Sequence, residues 1–194
     1  MIQGQIIELI PAELSDRQNI YDWCFHCETS KSHCGLPDFP DVVIPTFEEF
    51  YDDYVDYFFT GSESEKGRGF MIVSNSKERE QVGFISYTCF HLKPHKAELD
   101  IWMNSEKHCG KGFGTDAIVS LCDFLNKSLG IREFIMRPSV KNERAVKSYK
   151  KSGFEESDKS PGDYLLNKYV ELYRDGDYGV GGDILLAKTF SGKL

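Results

Sequence analysis

Residues 98–130 place a strand-like segment, a glycine-rich loop and a helical segment in direct succession. Residues 97–103 alternate with a period of two, which predicts a strand with two different faces. One face carries Glu98, Asp100 and Trp102, and the other carries Leu99, Ile101 and Met103. From Thr115 onward, apolar residues recur at spacings of three and four, which predicts a helix that ends at Gly130. This succession predicts an anion-binding cradle, because loop amides can approach a phosphate closely and a helix N-terminus carries positive partial charge.

The spacing of the three glycines restricts the kind of cradle. Gly110, Gly112 and Gly114 do not fit the nucleoside-triphosphate loop, Gly-x-x-x-x-Gly-Lys-Ser/Thr. The dinucleotide fingerprint needs its third glycine later than it occurs here. The segment KHCGKG, residues 107–112, instead resembles the acetyl-CoA loop of the GNAT family of N-acetyltransferases, which reads Gln/Arg-x-x-Gly-x-Gly/Ala. Lys107 and Cys109 differ from the residues most frequent in that family, whereas both glycines match.

A second motif strengthens this resemblance. The segment NERAVKSYKKSGF, residues 142–154, fits the family's Asn-x-x-Ala near the start of a helix and its Tyr-x-Lys-x-Gly-Phe at the end. The matching residues are Asn142, Ala145, Tyr149, Lys151, Gly153 and Phe154. The chain is thus similar to GNAT enzymes, and in particular to aminoglycoside 6′-N-acetyltransferases. The resemblance implies an α/β (α+β) GNAT fold, with a mixed central sheet of about six to seven strands flanked by about four helices.

The remaining pattern predicts a single acetyltransferase domain over residues 1–194. Strands are predicted over residues 5–10, 70–74, 81–90 and 132–137, another starts at Phe154, and a final hairpin is predicted over residues 164–173 and 184–190. Helices are predicted over residues 15–29 and 46–59, and after Asn142, whose side chain can cap a helix. Glycine and proline mark residues 31–45 as a loop.

Acetyl transfer to an amine needs two proton movements. Most alkylamines are protonated at neutral pH, so a base must remove a proton, and an acid must protonate the leaving thiolate. The resemblance implies that Tyr149 is the general acid; the alternative is a tyrosine that only packs on the sheet. It also implies that Asp100 is the base, because aminoglycoside 6′-N-acetyltransferases carry an aspartate at this distance before the first loop glycine. Glu98, ~7 Å away on the same strand face, is the alternative base, with water as a third.

Repulsion between Glu98 and Asp100 is expected to raise the pKa of one of the two carboxyl groups toward neutrality. With a base and an acid in place, direct transfer in a ternary complex needs no covalent enzyme intermediate. The sequence does not select a cysteine with its own histidine base, so that alternative stays open.

The resemblance also implies that acetyl-CoA, as cosubstrate, binds along the glycine-rich stretch. Main-chain groups of residues 101–103 would pair with the pantetheine arm, and amides from Cys109 to Thr115 would hold the pyrophosphate. The predicted binding residues are Ile101, Trp102, Met103, Lys107, His108, Cys109, Gly110, Lys111, Gly112, Phe113, Gly114, Thr115, Asn142, Ala145 and Tyr149. Lys111, Arg144 and Lys147 are candidates for the outer phosphates, with ordinary solvated side chains as the alternative.

The six cysteines raise the question of a metal site. Cys24, Cys27 and Cys34 cluster with His26 and His33, and a Cys-x-x-Cys spacing is that of a zinc-ligand pair. A second pair at structural-zinc spacing does not follow, so we expect reduced thiols on a helix and no metal.

The charge and the apolar pattern restrict location and partners. A net charge of −8 argues against nucleic acid and favours a cationic partner. No apolar run reaches membrane-spanning length, and the N-terminal residues lack the pattern of a signal peptide, so we expect a cytoplasmic protein without membrane contact.

The acceptor is the least constrained part of the function. The acidic side of residues 46–59, with tyrosines close by, suits a polycationic amine, and a solvated helix face accounts for it equally well. The favoured hypothesis is acetyl transfer to a primary amine of a small cationic acceptor such as an aminoglycoside, an antibiotic-resistance activity, by a monomer or homodimer. The alternatives are a protein N-terminal or lysine acetyltransferase of the ribosomal-protein type and a non-catalytic acyl-CoA-binding module.

Overall fold

The described chain is organised around one mixed sheet with helices on both faces. The computed structural model describes residues 1–33 and 43–191. The strands are β1 (Ile2–Gln3), β2 (Ile7–Pro11), β3 (Gly67–Ser74), β4 (Gln81–Thr88), β5 (Lys96–Met103), β6 (Glu133–Met136), β7 (Glu155–Glu156) and β8 (Leu186–Thr189). The α-helices are α1 (Arg17–Phe25), α2 (Ser30–His33), α3 (Phe47–Asp53), α4 (Tyr57–Thr60), α5 (Phe113–Leu129), α6 (Glu143–Lys151), α7 (Pro161–Tyr164) and α8 (Val170–Tyr173).

The strand order places a parallel pair inside an otherwise antiparallel sheet. Within the described residues the order is β1-β2-β3-β4-β5-β6-β8-β7. Among the strands of the described residues, only β5 and β6 run parallel, because α5 forms the crossover that joins them. The predicted mixed α/β class is confirmed. The sheet has eight strands in these ranges instead of six or seven. The strand predicted from Phe154 corresponds to β7, whereas β1 was not predicted because two residues are too few to show alternation.

Two apolar layers, one on each face of the sheet, hold the helices. Helix α5 covers the first face, where Leu99 of β5 is buried with Ile118. Helices α1, α3 and α4 cover the second face, where Trp102 of β5 is buried with Phe84 at 5.0 Å between ring centroids. The predicted alternation of β5 is thus confirmed, and it leaves Asp100 on the face of Trp102. None of the helices in the described ranges combines the length and the hydrophobicity needed to span a bilayer.

The N-terminal helices are shorter than the apolar pattern predicts. The helix predicted over residues 15–29 ends at Phe25, and a separate α2 follows. The helix predicted over residues 46–59 is interrupted at Tyr54, whose ring stacks on Phe50 at 4.8 Å between centroids. Packing of this ring into the second apolar layer turns the chain out of the helix, and α4 then starts anew.

The other predicted elements differ from the observed ones by small shifts at their ends, except for one element that was predicted wrongly. Helix α5 begins two residues before the predicted Thr115 and ends at Gly130 as predicted. The predicted final hairpin is wrong in its first half, because residues 164–173 form the end of α7, a 3₁₀ turn and α8. Pro161 at the first helical position and a Ser160–Asp163 capping box start a helix there. Strand β8 pairs instead with β6 and β7.

The predicted loop over residues 31–45 can be compared with the structure only at its ends. Residues 31–33 belong to α2, and residues 43–46 are irregular. Residues 34–42 lie outside the described part of the chain.

Candidate active site

The sheet opens beside β5, and two cavities meet at the opening. The parallel pairing of β5 with β6 ends at Glu98, although β5 continues to Met103. The edge of β5 beyond Glu98 therefore faces a gap. A first cavity of about 940 Å³ lies on the side of the glycine loop, and a second of about 820 Å³ lies on the side of α3 and α4. Among the residues that the structure describes, four line both cavities: Ile101, Trp102, Asn142 and Tyr149.

The glycine loop presents a row of unpaired amides to the first cavity. Gly110 and Gly112 adopt φ values of +72° and +89°, in the left-handed region that glycine tolerates. The amides from Gly110 to Thr115 donate no hydrogen bond to any described residue, and the first turn of the 17-residue α5 supplies three of them. The amide of Cys109 is engaged, because it donates to the Glu106 carbonyl at 3.0 Å. The cradle fits a pyrophosphate, and it is one amide shorter than predicted.

One wall of the first cavity comes from a segment that the sequence did not point to. The Asp116 carboxylate, in the first turn of α5, accepts from the amides of Gln5, Ile6 and Ile7 at 3.1, 2.7 and 3.2 Å. The turn between β1 and β2 is thereby held against the loop, and Gln5 and Ile6 line the cavity. These amides also compensate the Asp116 charge, which would otherwise repel a phosphate at the helix N-terminus.

Most of the predicted acetyl-CoA residues lie around the first cavity. Those that line it are Ile101, Trp102, Met103, His108, Cys109, Gly110, Gly112, Gly114, Thr115, Asn142, Ala145 and Tyr149. Lys107, Lys111 and Phe113 are not part of this lining. Lys107 is exposed and forms an ion pair with Glu80 at 3.1 Å.

Several predicted contacts are already engaged within the protein. The Met103 carbonyl accepts from the Thr29 hydroxyl at 2.5 Å. Asn142 accepts from the Ala145 amide at 3.1 Å, which confirms its predicted capping role. Arg144 makes two bonds to the Glu106 carboxylate, at 2.5 and 2.9 Å. Its guanidinium is therefore not free for a phosphate while this pair is formed.

Glu98, one of the two candidate bases, is held in a buried ion pair. The Arg137 guanidinium donates to both oxygens of its carboxylate, at 2.6 and 3.1 Å, and His91 Nε2 lies 2.7 Å from Oε2. Burial opposes ionisation of Glu98, but His91 and Arg137 outweigh it and lower the pKa of this carboxyl group. A carboxylate held in this way is a poor proton acceptor.

Asp100, the other candidate, has no such partner. Its side chain is open to the second cavity and makes no hydrogen bond or ion pair with a described residue. The surrounding protein raises its pKa to about 7, mainly by desolvation; the charges of Asp177 and Glu98 add to this, and Arg137 opposes it. The pKa values of the two carboxyl groups therefore differ as expected: that of Asp100 is raised, and that of Glu98 is lowered.

Tyr149 projects from α6 to the junction of the two cavities. Its side chain is half-buried, and its hydroxyl has no hydrogen-bond partner among the described residues. Desolvation and the nearby Asp100 charge raise the pKa of Tyr149, so the phenol stays protonated at neutral pH.

The second cavity contains acidic residues that sequence reasoning only partly found. Asp53 of α3 belongs to the acidic side noted in the sequence, but Asp177, in the glycine-rich segment after α8, was not singled out. Neither carboxylate forms an ion pair with a described residue, and desolvation raises the pKa of both. Asp177 directly follows Arg174, Asp175 and Gly176 in the sequence. This density of charged residues near the end of a predicted hairpin is the signal that could have identified Asp177 as a candidate site residue.

Of the two cysteines predicted on the first helix, Cys24 lies in α1, whereas Cys27 follows the end of that helix. In the described ranges, no three side chains of His, Cys, Asp or Glu converge on a point where a metal could bind. Cys27 Sγ, two residues beyond the end of α1, donates to the Trp23 carbonyl at 2.8 Å. The side chain of His33 and the whole of Cys34 lie outside the described part. Cys109 lines the first cavity, and burial raises the pKa of its thiol.

Comparison with known proteins identifies the fold and the family. The family model "Acetyltransferase (GNAT) domain" matches residues 7–155, and the chain therefore belongs to the GNAT acetyltransferase family. Membership assigns N-acetyl transfer as its activity and acetyl-CoA as its donor. No curated protein sequence matches the chain.

Solved structures share the architecture at low sequence identity. Aminoglycoside acetyltransferase AAC(6')-Ib with paromomycin and acetyl-CoA is 17% identical with a TM-score of 0.67, covering 95% of this chain and 94% of that one. The same enzyme with coenzyme A and kanamycin is 16% identical with a TM-score of 0.65, covering 94% of each chain. Spermidine N-acetyltransferase from Vibrio cholerae with CoA and spermine is 18% identical with a TM-score of 0.66, covering 96% of each chain.

Proposed function

We propose that the protein transfers the acetyl group of acetyl-CoA directly to a primary amine of a small cationic acceptor, in a ternary complex. The observation that carries the proposal is the meeting of the two cavities at Ile101, Trp102, Asn142 and Tyr149. The first cavity offers the unpaired amides for the pyrophosphate, and the second offers carboxylates for an amine. A thioester and an amine held on the two sides would meet only at this junction.

Asp100 is the proposed general base. An alkylammonium must lose a proton before its nitrogen can attack, and a base works best when its pKa is close to the operating pH. The raised pKa of about 7 for Asp100 satisfies this condition, whereas the lowered pKa of Glu98 does not. The ionised Asp100 first attracts the ammonium and then takes its proton.

Tyr149 is the proposed general acid. As the new N–C bond forms and the C–S bond breaks, the thiolate of CoA takes up a proton, and the protonated phenol at the junction supplies it. The amine loses two protons in all: the first goes to Asp100 before the attack, and the second leaves the nitrogen as the amide forms and reprotonates the Tyr149 phenolate. The net product is one proton on Asp100, which is released to solvent. No step needs a cysteine nucleophile. The raised pKa of the Cys109 thiol also disfavours the thiolate form that would act as one.

The charge of the second cavity supports a cationic acceptor. Asp53, Asp100 and Asp177 line it without cationic partners among the described residues. Its volume of about 820 Å³ is that of a small-molecule site. The named activities of the structural neighbours, on aminoglycosides and spermidine, agree with an acceptor that carries several amines. We therefore place small polyamines and aminoglycosides ahead of protein N-termini.

Thiol release from acetyl-CoA, measured with aminoglycosides, polyamines and N-terminal peptides, tests the proposal. We expect turnover with cationic small molecules, and a loss of about 10²- to 10⁴-fold in kcat for Tyr149→Phe and for Asp100→Asn. Tyr51→Phe and Asp123→Asn are matched controls outside both cavities. Turnover of peptides alone would favour the protein acetyltransferase, and tight acetyl-CoA binding without any turnover would favour the non-catalytic module.

A further inference from the structure

An aromatic cluster lines the second cavity away from the reaction junction. It consists of Tyr57, Phe90, Tyr169 and Tyr173. We propose that the aromatic cluster is a subsite for a second ammonium group of the acceptor, so that the preferred acceptor is an amine with at least two positive charges on a flexible apolar chain. This inference rests on the proposed function, because it specifies what the acceptor carries besides its reacting amine.

The rings of the aromatic cluster form a corner and not a parallel stack. Phe90 meets Tyr169 at 5.6 Å and 86°, and it meets Tyr173 at 6.1 Å and 78°. Tyr169 and Tyr173 are 5.7 Å apart and inclined by 56°. All four side chains of the cluster are half-buried and line the cavity, so they are neither fully packed in the core nor fully solvated. A corner of partly exposed rings is suited to hold an alkylammonium against its faces.

One ring of the aromatic cluster already holds an ammonium group. Lys168 Nζ lies 4.6 Å from the centroid of the Tyr169 ring, within the range of a cation–π contact. Lys168 itself is not part of the cavity lining. Because Lys168 directly precedes Tyr169 in the chain, this contact is local, and it places a cation next to the ring from outside the cavity lining.

Uncompensated negative charge next to the aromatic cluster selects a cation over a neutral or anionic group. Asp53 and Asp177 line the same cavity and form no ion pair with a described residue. Asp53 lies close enough to Tyr173 to affect its pKa. The lysine and the arginine in the lining, Lys66 and Arg137, are each paired with a glutamate, and neither forms an ion pair with these aspartates, although the Arg137 charge acts on Asp177. An ammonium would gain both the ring faces and the carboxylates.

The distance between the aromatic cluster and the reacting carboxylate requires a long acceptor. Thr88 pairs with Glu98, which lies two residues from Asp100 along β5. Phe90 lies two residues further on, in the turn that follows β4, so the cluster lies past the end of the strand that faces Asp100, at a distance on the order of 10 Å for this number of residues. A short monoamine at Asp100 cannot reach the cluster, whereas a chain with an amine at each end can span the two positions.

A pair of matched amines tests the subsite. Octylamine and diaminooctane share one chain length and differ by one terminal amine. For the unaltered protein we expect kcat/KM to be about ten-fold higher for the diamine than for the monoamine, the effect of a partly desolvated cation–π contact. Tyr173→Leu should lower this ratio about ten-fold, and Tyr173→Phe, which keeps the ring, should preserve it. Phe124→Leu, an exposed aromatic position on α5, is the outside control.

The outcomes separate the subsite from the proposed function. A ratio near one in the unaltered protein, or equal ratios for Tyr173→Leu and Tyr173→Phe, would overturn the subsite while acetyl transfer stands. If neither amine is acetylated, calorimetric titration with both amines decides: tighter binding of the diamine that Tyr173→Leu abolishes supports the subsite, and equal binding overturns it. Circular dichroism and thermal unfolding check that each variant is folded.

Discussion

Replacing Asp100 by asparagine should remove activity and at the same time stabilise the fold at high pH. Asp100 is a carboxyl group with its pKa raised from 3.8 to about 7, mainly because the protein around it disfavours the charge. In the unfolded chain the same group ionises near its ordinary value. The folded state therefore binds the extra proton, and stability falls as the pH rises from about 4 to about 7.

The magnitude follows from this difference in pKa. About three pH units correspond to ~4 kcal/mol for a group shielded from solvent. Because Asp100 is open to the cavity, solvent screening reduces this to about 1 kcal/mol. In a chain of this length, that free energy corresponds to a rise in Tm of roughly 2–4 °C. The gain should be nearly complete at pH 8 and smaller at pH 5.

The assay combines thermal unfolding at pH 5 and pH 8 with acetyl-CoA turnover at both. Asp123→Asn, a position outside both cavities, is the matched control for the change of side chain. In the unaltered enzyme, kcat/KM should rise with pH through about 7 as Asp100 loses its proton. Equal stabilisation of Asp100→Asn at both pH values would refute the raised pKa, and retained turnover would refute its role as the base.

Three further predictions concern the cradle and the buried ion pair. Gly112→Ala, at φ +89°, should weaken CoA binding about ten-fold in calorimetry, whereas Gly130→Ala, at φ +65°, carries similar backbone strain and should leave the affinity unchanged. Glu98→Gln breaks a buried ion pair and should lower the free energy of unfolding, measured in urea, by about 3 kcal/mol. The control Glu106→Gln breaks an exposed pair and should lower it by less than about 1 kcal/mol; equal losses for the two variants would contradict the buried pair. Asp116→Ala removes the acceptor of three amides in the turn between β1 and β2, which forms one wall of the first cavity. The KM for acetyl-CoA should therefore rise about five-fold with a smaller change in kcat, and an unchanged KM would show that this wall does not contribute to binding.

The elements proposed to bind acetyl-CoA were predictable because they are neighbours in sequence. Alternation identified β5 and its two faces, and the glycine spacing identified the cradle between β5 and α5. The capping role of Asn142 also follows from local spacing. These features need only a few adjacent residues to form, so a single sequence contains their signal.

The acceptor side was less predictable because its residues come from distant parts of the chain. Two partners lower the pKa of Glu98: Arg137, which directly follows β6, and His91, from the turn after β4. Only the sheet brings these distant residues together. Asp177 approaches Asp100 through the segment after α8, which was expected to be a hairpin end. That segment also lies beyond the residues matched by the family model.

The irregular parts of the fold could not be predicted from the sequence for a related reason. The turn between β1 and β2 becomes part of the cavity through Asp116, which is about a hundred residues away in the chain. The interruption at Tyr54 depends on a ring that packs against the sheet and not on helix propensity. Periodicity within a segment contains no information on such contacts.

Initial-rate kinetics with both substrates varied test the central claim most directly. Acetyl-CoA and a cationic amine should give intersecting double-reciprocal lines, because both must be bound on their sides of the Tyr149 junction before the acetyl group moves. Tyr149→Phe should keep this pattern and lower kcat by about 10²-fold or more. Parallel lines, together with acetylated enzyme formed from acetyl-CoA alone, would show a covalent intermediate and contradict direct transfer.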